Sequence, residues 1–345
     1  MKSSRPVPAG SLIMSICATV GRPAITEIDV CIHDGFVVLN NLKADKFFVF
    51  HLLKWIEPSW SKTGQTGSQM NLNTGIVNRL PVRLPAEQEQ RAIAKALSDV
   101  DALLNALDRL IAKKRDLKQA VMQQLLTGKA RLPGFDGEWK ESKLGELGAV
   151  YGGLSGKSKA EFGDGNSRYV TFLSVVTRPI VKGDELGKVN VKRGEAQAEI
   201  AKGDLLFNGS SETPDEVALC ALVAFDLQDV FLNSFCFGYR LNAGCSADGL
   251  FLTYLIRSDV GRGVFGILAQ GSTRHNISKA AFREVVFELP HLSEQLEIVR
   301  VLREMDAEIA VLESRCQKTQ HLKQGMMQEL LSGKIRLVEP EPRDD

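Results

Sequence analysis

Few of the groups that carry enzyme chemistry stand together anywhere in this chain of 345 residues. Its six cysteines, Cys17, Cys31, Cys220, Cys236, Cys245 and Cys316, form no C-x-x-C pair, and none has a histidine at zinc spacing. That argues against a zinc centre or a dithiol redox site, and the apolar runs around several of them predict buried free thiols in a reducing compartment. His33, His51, His275, His291 and His321 are scattered, with no nucleophile at a recognisable distance in sequence. No G-x-G-x-x-G follows a predicted strand, which weighs against a bound dinucleotide or methyl donor. Gly156-Lys157-Ser158 matches the end of a phosphate-binding loop, but Tyr151 stands where that loop needs its first glycine, so a turn is expected instead. Pro214-Asp215 could open a nuclease carboxylate cluster, yet no acid-x-Lys follows it. These absences predict a protein with no catalytic residue, no metal site and no cofactor.

Charge of one sign is lacking too. Lys and Arg number 43 against 42 Asp and Glu, a net charge of +1, so any nucleic-acid contact must come from local patches. No apolar run approaches the length of a membrane span. The N-terminus mimics a signal peptide, with Lys2 and Arg5 ahead of SLIMSICATV, but Pro6, Pro8, Ser15 and Thr19 interrupt it. Gly10-Ser-Leu-Ile-Met-Ser also resembles Gly203-Asp-Leu-Leu-Phe-Asn deep inside the chain, so a strand is expected there. The expectation is a cytoplasmic protein with no membrane partner. At 44% hydrophobic and 25% charged residues, the composition suits two or three ordinary globular domains.

What is present is a repeat. Pro85–Leu132 aligns with Pro290–Leu337 at a constant offset of 205 without gaps, and 20 of the 48 positions are identical. Each copy predicts one long helix, over 87–127 and 292–332, about 60 Å long at 1.5 Å per residue. Ile93, Leu97, Val100, Leu104, Leu107 and Ile111 make a heptad seam, matched by Ile298, Leu302, Met305, Ile309, Leu312 and Cys316. Lys114 and Lys118 then fall on seam positions, so the phase slips. It is expected to resume at Leu117, Val121 and Leu125, and at Leu322, Met326 and Leu330. Pro85 and Pro290 open the helices, and Gly128 and Gly333 suit left-handed C-caps. Neither seam can stay in water, and each is the natural partner of the other. A coiled coil serving dimerisation alone stays open on the pattern.

A larger repeat surrounds the helices. Strands are expected at Ser11–Cys17, Val37–Leu39 and Leu80–Leu84, with a helix over Phe47–Trp55. The second block predicts strands near Tyr169–Val176, Asp204–Phe207, Ala218–Phe225, Phe235–Leu241 and Val285–Leu289, and a helix from Leu250 through Arg257 toward 268. The expected plan is a first globule over 1–85, a long helix over 86–132, a second globule over 133–290, and a second long helix over 291–337. An acidic disordered tail over 338–345 completes it. Because Gly10 answers to Gly203, about 60 residues corresponding to 134–193 have no counterpart upstream, and the first globule is expected to be partial. Polar loops on these scaffolds are the candidate binding elements. Ser272, Thr273, Arg274, His275 and Asn276 can hydrogen bond to base edges or phosphates, and Lys62, Gln65, Gln69 and Asn71 lie in the matching loop of the first globule. Lys157, Lys159 and Arg168 add basic candidates in the second. Solvated turns are the plainer reading of both loops. Lys113, Lys114, Arg115 and Lys118 cluster on the first helix, a pattern that usually marks a solvated face.

Taken together, these residues resemble the specificity subunit of type I restriction-modification systems. The resemblance rests on the two copies of a strand ending in Leu-Pro, then Glu-Gln, then a long helix closing on Gln-x-Leu-Leu-[Thr/Ser]-Gly-Lys-x-Arg-Leu. They are Leu84-Pro85, Glu89-Gln90 and Gln123–Leu132, and Leu289-Pro290, Glu294-Gln295 and Gln328–Leu337. Trp139, Leu144-Gly145 and Lys202-Gly203-Asp204-Leu205-Leu206 support it. The resemblance implies an α+β protein of mixed-sheet target recognition domains alternating with two long helices packed as an antiparallel coiled coil. It implies a non-catalytic reader of a bipartite site in double-stranded DNA, docking methyltransferase (modification) subunits and, in the full complex, a restriction subunit. The alternative is a structural coiled-coil protein with degenerate recognition domains and no DNA activity.

Overall fold

The computed structural model describes residues 5–62, 72, 74–271 and 273–339, and the chain divides into two compact units, 1–112 with 310–345 and 113–309. Each unit contains a set of strands, the helices that follow them, and part of both long helices.

The first unit opens with strands β1 (Arg5–Val7), β2 (Leu12–Ser15), β3 (Pro23–Ile25), β4 (Val30–Ile32) and β5 (Phe36–Val38). β1 pairs with β4, and β2 is the centre of an antiparallel sheet ordered β3-β2-β5. Helix α1 (Lys46–Ile56) follows, as its apolar run predicts, and Asp45 caps it by accepting from the Phe48 amide at 2.9 Å. Leu12, Met14, Leu53, Trp60 and Leu72 form the core between sheet and helix. Gly21 sits at φ +82° under the Trp60 indole, where a Cβ would lie 2.1 Å from the ring, so no larger residue fits. A short helix α2 (Thr74–Asn78) precedes α3 (Glu87–Leu125).

The second unit carries β6 (Lys140–Lys143), α4 (Leu144–Leu147), β7 (Gly148–Gly152), β8 (Phe162–Val170), α5 (Phe172–Thr177), β9 (Leu186–Val189), β10 (Leu205–Asn208), β11 (Ser210–Ser211), β12 (Cys220–Leu222), β13 (Val230–Leu232) and β14 (Cys236–Leu241). Then come α6 (Gly249–Arg257), α7 (Asp259–Leu268), β15 (His275–Asn276), α8 (Lys279–Arg283), β16 (Val286–Leu289) and α9 (Leu292–Leu331). The main sheet is ordered β12-β10-β14-β7 and is antiparallel; a second, β13-β8-β9, is mixed, because β13 runs parallel to β8. Phe207 stacks on Phe237 at 5.1 Å, and Phe282 meets both edge-on, so aromatic contacts centre the core. The half-buried Arg257 guanidinium donates to the carbonyls of Val176 and Cys220, each at 2.8 Å, and ties α5 and β12 to α6.

Several expected boundaries move for local reasons. The strand expected at Leu80–Leu84 is irregular. Its counterpart β16 pairs with β6, and the described residues of the first unit hold no strand in β6's place; Pro81 also lacks a donor. Tyr169–Val176 is strand only to Val170, because Thr171 caps α5 through its hydroxyl to the Ser174 amide. The helix expected to run from Leu250 toward 268 breaks at Ser258, which has extended backbone between α6 and α7. The left-handed caps are found: Gly128 at φ +68° and Gly333 at φ +76°.

Within each unit the long-helix segments run antiparallel. In the first, Ile93 and Leu97 pack with Met327, Leu330 and Leu331, while Leu107 and Ile111, further along α3, meet Cys316, earlier in α9. Leu104 and Leu312 pack at the margin of that second cluster. In the second unit, Met122 and Leu125 share a core with Ile298 and Leu302, and Ile309 is buried. Leu117 and Leu322, expected to resume the seam, are instead 50% and 60% exposed. The seam is polar at this level. Lys118 turns inward to Asp306, and Lys323 to Asp101, so the heptad keeps the register set by Ile111 and the expected slip to Leu117 does not occur: the lysines stay on the seam because acids meet them there.

Candidate nucleic-acid interface

The second unit brings two polar segments, distant in sequence, onto one ladder. β11 and β15 pair antiparallel, Ser210 opposite Asn276 and Ser211 opposite His275. Gln270 and Asn276 exchange backbone hydrogen bonds at 2.9 and 2.8 Å, closing the 270–276 loop into a tight hairpin. Gly271 stands at φ +126° at its start, where a Cβ would strike the Arg274 carbonyl at 2.2 Å. Thr273, Arg274 and Asn276 are exposed and His275 is half-buried. The Arg274 guanidinium lies over the Phe235 ring, 5.6 Å from its centroid, and makes no ion pair among the described residues. The Asn276 amide donates to the Arg274 carbonyl at 3.1 Å, so one end of that side chain holds the hairpin rather than facing outward.

Beside the hairpin lies a cleft of about 300 Å³, lined by Ser210, Ser211, Glu212, Glu216, Phe235 and Arg274. The Ser211 hydroxyl donates to Glu216 at 2.8 Å. Ser210 Oγ and His275 Nδ1 are buried with no hydrogen-bond partner among the described residues. Sequence reading missed this wall. Its signal was available: a polar Ser-Ser-Glu-Thr-Pro-Asp run directly after the wholly buried strand β10.

The other basic candidates part company. Lys157 is not free for a ligand: its side chain is 2% exposed and its ammonium bonds Glu195 at 2.6 Å and Glu161 at 3.3 Å. That bond, with the Lys192 amide and Gln197, pulls the Glu195 carboxyl down to about 2. Lys159 and Arg168 are exposed, on the turn before β8 and on β8 itself, and belong to the mixed sheet rather than to the β11–β15 ladder. Ser272, Gln65, Gln69 and Asn71 lie outside the described residues, as does the side chain of Lys62, which closes the turn Glu57–Lys62. Residues 340–345 of the expected tail also lie outside them. On the first long helix, Lys114 pairs with Glu308 at 2.6 Å and Lys118 with Asp306, so half of that basic cluster is spent inside the second unit.

The repeated Glu-Gln pair has a structural job. Gln90 accepts from the Asp45 amide and donates to the Pro85 carbonyl, both at 2.8 Å. Gln295 does the same with Asp248 and Pro290, at 2.8 Å each. Glu294, 2% exposed, receives both arms of Arg131 at 2.6 and 2.7 Å; Glu89 receives the backbone amides of Leu337 and Val338. Arg131 also lies over the Trp139 ring, so the chain following the helix is anchored. Among the described residues no group of three His, Cys, Asp or Glu could hold a metal ion, and no helix is long and apolar enough to cross a membrane.

Residues 2–115 and 136–323 match the family described as the type I restriction modification DNA specificity domain. The chain is 26% identical over 337 residues to a protein named as the MjaX specificity subunit of Methanocaldococcus jannaschii, covering 92% of this chain and 76% of that one. It is 23% identical over 318 residues to the type I restriction enzyme MjaVIII specificity subunit of the same organism, covering 86% and 72%. Its fold is that of the type I restriction-modification S subunit from M. genitalium, at a TM-score of 0.60 and 14% identity, over 94% of this chain and 83% of that structure. A family match spanning both strand-rich regions and most of both long helices settles the grouping: the chain belongs to the type I restriction-modification specificity subunits.

Proposed function

We propose that this chain reads DNA for a type I restriction-modification complex through recognition domains at residues 1–85 and 133–290. Its long-helix regions, 86–132 and 291–337, hold the methyltransferase subunits, and a restriction subunit joins in the full complex. The chain itself is non-catalytic, and methyl transfer and cleavage belong to its partners in a cytoplasmic assembly. The single observation that carries the DNA-reading face is the 273–276 hairpin. It is closed by the paired Gln270 and Asn276 backbones, is exposed, and presents an arginine that pairs with no carboxylate of the described residues. Lys159 and Arg168 supply further positive charge on the same unit, suited to phosphate contact.

The test is salt-dependent retention of duplex DNA by the chain with its methyltransferase subunit, followed by mapping of methylated adenines. A DNA reader gives binding that falls steeply with salt, and a defined methylation motif. A coiled-coil scaffold with degenerate domains gives neither.

A further inference from the structure

Resting on that reading, we infer that Arg274 and Glu212 together read one G·C base pair, with Phe235 as the platform that aims the arginine. Three features of the cleft carry this. First, Arg274 shares the cleft with the Glu212 and Glu216 carboxylates, yet its guanidinium pairs with neither and lies over Phe235. Phe235 is 58% exposed, so its ring offers an open face on which the guanidinium rests. A stacked guanidinium keeps its fork of donors in one plane and free for a bidentate acceptor.

Second, Glu212 is exposed and makes no hydrogen bond or ion pair among the described residues, whereas Glu216 is held by Ser211. The cleft therefore offers one free planar cation and one free anion. Two carboxylates beside one arginine repel a phosphate, so the backbone of DNA does not belong here. A base edge does. Third, Ser210 Oγ, buried beside this cleft, has no hydrogen-bond partner among the described residues, which marks the cleft wall as polar and unsatisfied. In the major groove, guanine presents two acceptors that match an arginine fork, and cytosine presents an amino donor that matches a carboxylate. A single G·C pair supplies both. Neither A·T orientation offers the two-acceptor edge that the fork requires.

The experiment uses the full chain in complex with its methyltransferase subunit. The methylated motif is mapped for the natural chain, and duplexes carrying that site and each single-pair substitution are titrated against natural, Arg274→Ala, Glu212→Ala and Phe235→Ala chains. Circular dichroism checks that each variant is folded; all three side chains are exposed. Arg274→Ala and Glu212→Ala should each lose about 10- to 100-fold of discrimination, and at the same G·C pair. Phe235→Ala should weaken binding while keeping the motif sharper than Arg274→Ala does. Relaxation at two different pairs, relaxation at an A·T pair, or an unchanged motif in Glu212→Ala overturns the assignment. If the natural complex yields no motif, the DNA-reading function itself fails; a sharp natural motif indifferent to Glu212 fails only this inference.

Discussion

The Lys118 ammonium donates to Asp306 Oδ1 at 2.5 Å, and, at the repeat offset of 205, Lys323 makes the same bond to Asp101 at 2.5 Å. An aromatic side chain from a neighbouring helix lies beside each pair, bonded to the acid in the second unit only. The Tyr254 hydroxyl donates to Asp306 at 2.6 Å, with Lys118 5.2 Å from its ring centroid; in the first unit His51 Nδ1 lies 4.0 Å from Asp101. A polar node inside an apolar seam costs desolvation and returns register: a slide by one heptad would strand a lysine against leucine.

The node should fail asymmetrically. Asp306→Ala leaves Lys118, 17% exposed, and the Tyr254 hydroxyl without their acceptor. Lys118→Met leaves Asp306 still holding Tyr254. Because Asp306 itself is 37% exposed, the loss is discounted from that of a fully buried pair, to about 1–2 kcal/mol for Asp306→Ala and below 1 kcal/mol for Lys118→Met. Urea unfolding measures both, and a larger loss for Lys118→Met would contradict this account of the node.

His51 should give the first unit a stability that depends on pH between about 6.5 and 4. Burial lowers its pKa to about 4, outweighing the pull of Asp101, and Lys323 and Lys54 lower it further. Its folded value lies below the unfolded value near 6.5, so the unfolded chain binds the extra proton between those limits. Stability is therefore full above about pH 6.5 and falls as pH drops toward 4, by at most about 3 kcal/mol. Tyr254 occupies the equivalent position. His51→Tyr removes the group that titrates and should flatten the slope in that window; urea midpoints at pH 7.5, 5.5 and 4.5 decide it.

The Gln295 amide spans three partners, Asp248, Ser246 and Pro290, at full burial, where Gln90 spans two. Gln295→Ala should cost about 2–4 kcal/mol and Gln90→Ala less, since each buried group left unpaired carries its own desolvation penalty. Gln295→Glu should not rescue, because a carboxylate cannot donate to the two carbonyls. Chemical denaturation of the three variants ranks them.

How much of this was legible in the sequence depends on range. The helices, their glycine caps and the apolar seam follow from local periodicity, and Ile93, Leu97, Leu107 and Ile111 are buried as that pattern requires. The polar node was visible only as lysines on seam positions, which reads as a break in phase, since whether they turn inward depends on Asp101 and Asp306, some 200 residues away. Leu80–Leu84 reads as a strand by its likeness to Val285–Leu289, but a strand needs a partner, and pairing is not a local property. The candidate interface divided in the same way. The 270–276 hairpin was recognisable from its polar side chains, whereas Lys157 looked equally available and is buried against Glu195. Glu212 and Phe235 were invisible as site residues, because only the β11–β15 ladder sets them beside Arg274.

The seam itself can be tested by one pair of substitutions that sequence register and structure rank differently. The heptad that skips Lys114 and Lys118 puts Leu117 inside, on a par with Leu107. The structure buries Leu107 to 4% exposure, beside Ile111 and Cys316, and leaves Leu117 half exposed. Leu107→Lys forces an ammonium into that apolar cluster, at a cost of about 3 kcal/mol, enough to unfold a marginal domain. Leu117→Lys places the ammonium in water and should change stability by no more than about 0.5 kcal/mol. Thermal melts of the two variants separate the readings. Equal destabilisation would return Leu117 to the seam and overturn the placement of Lys118 on it.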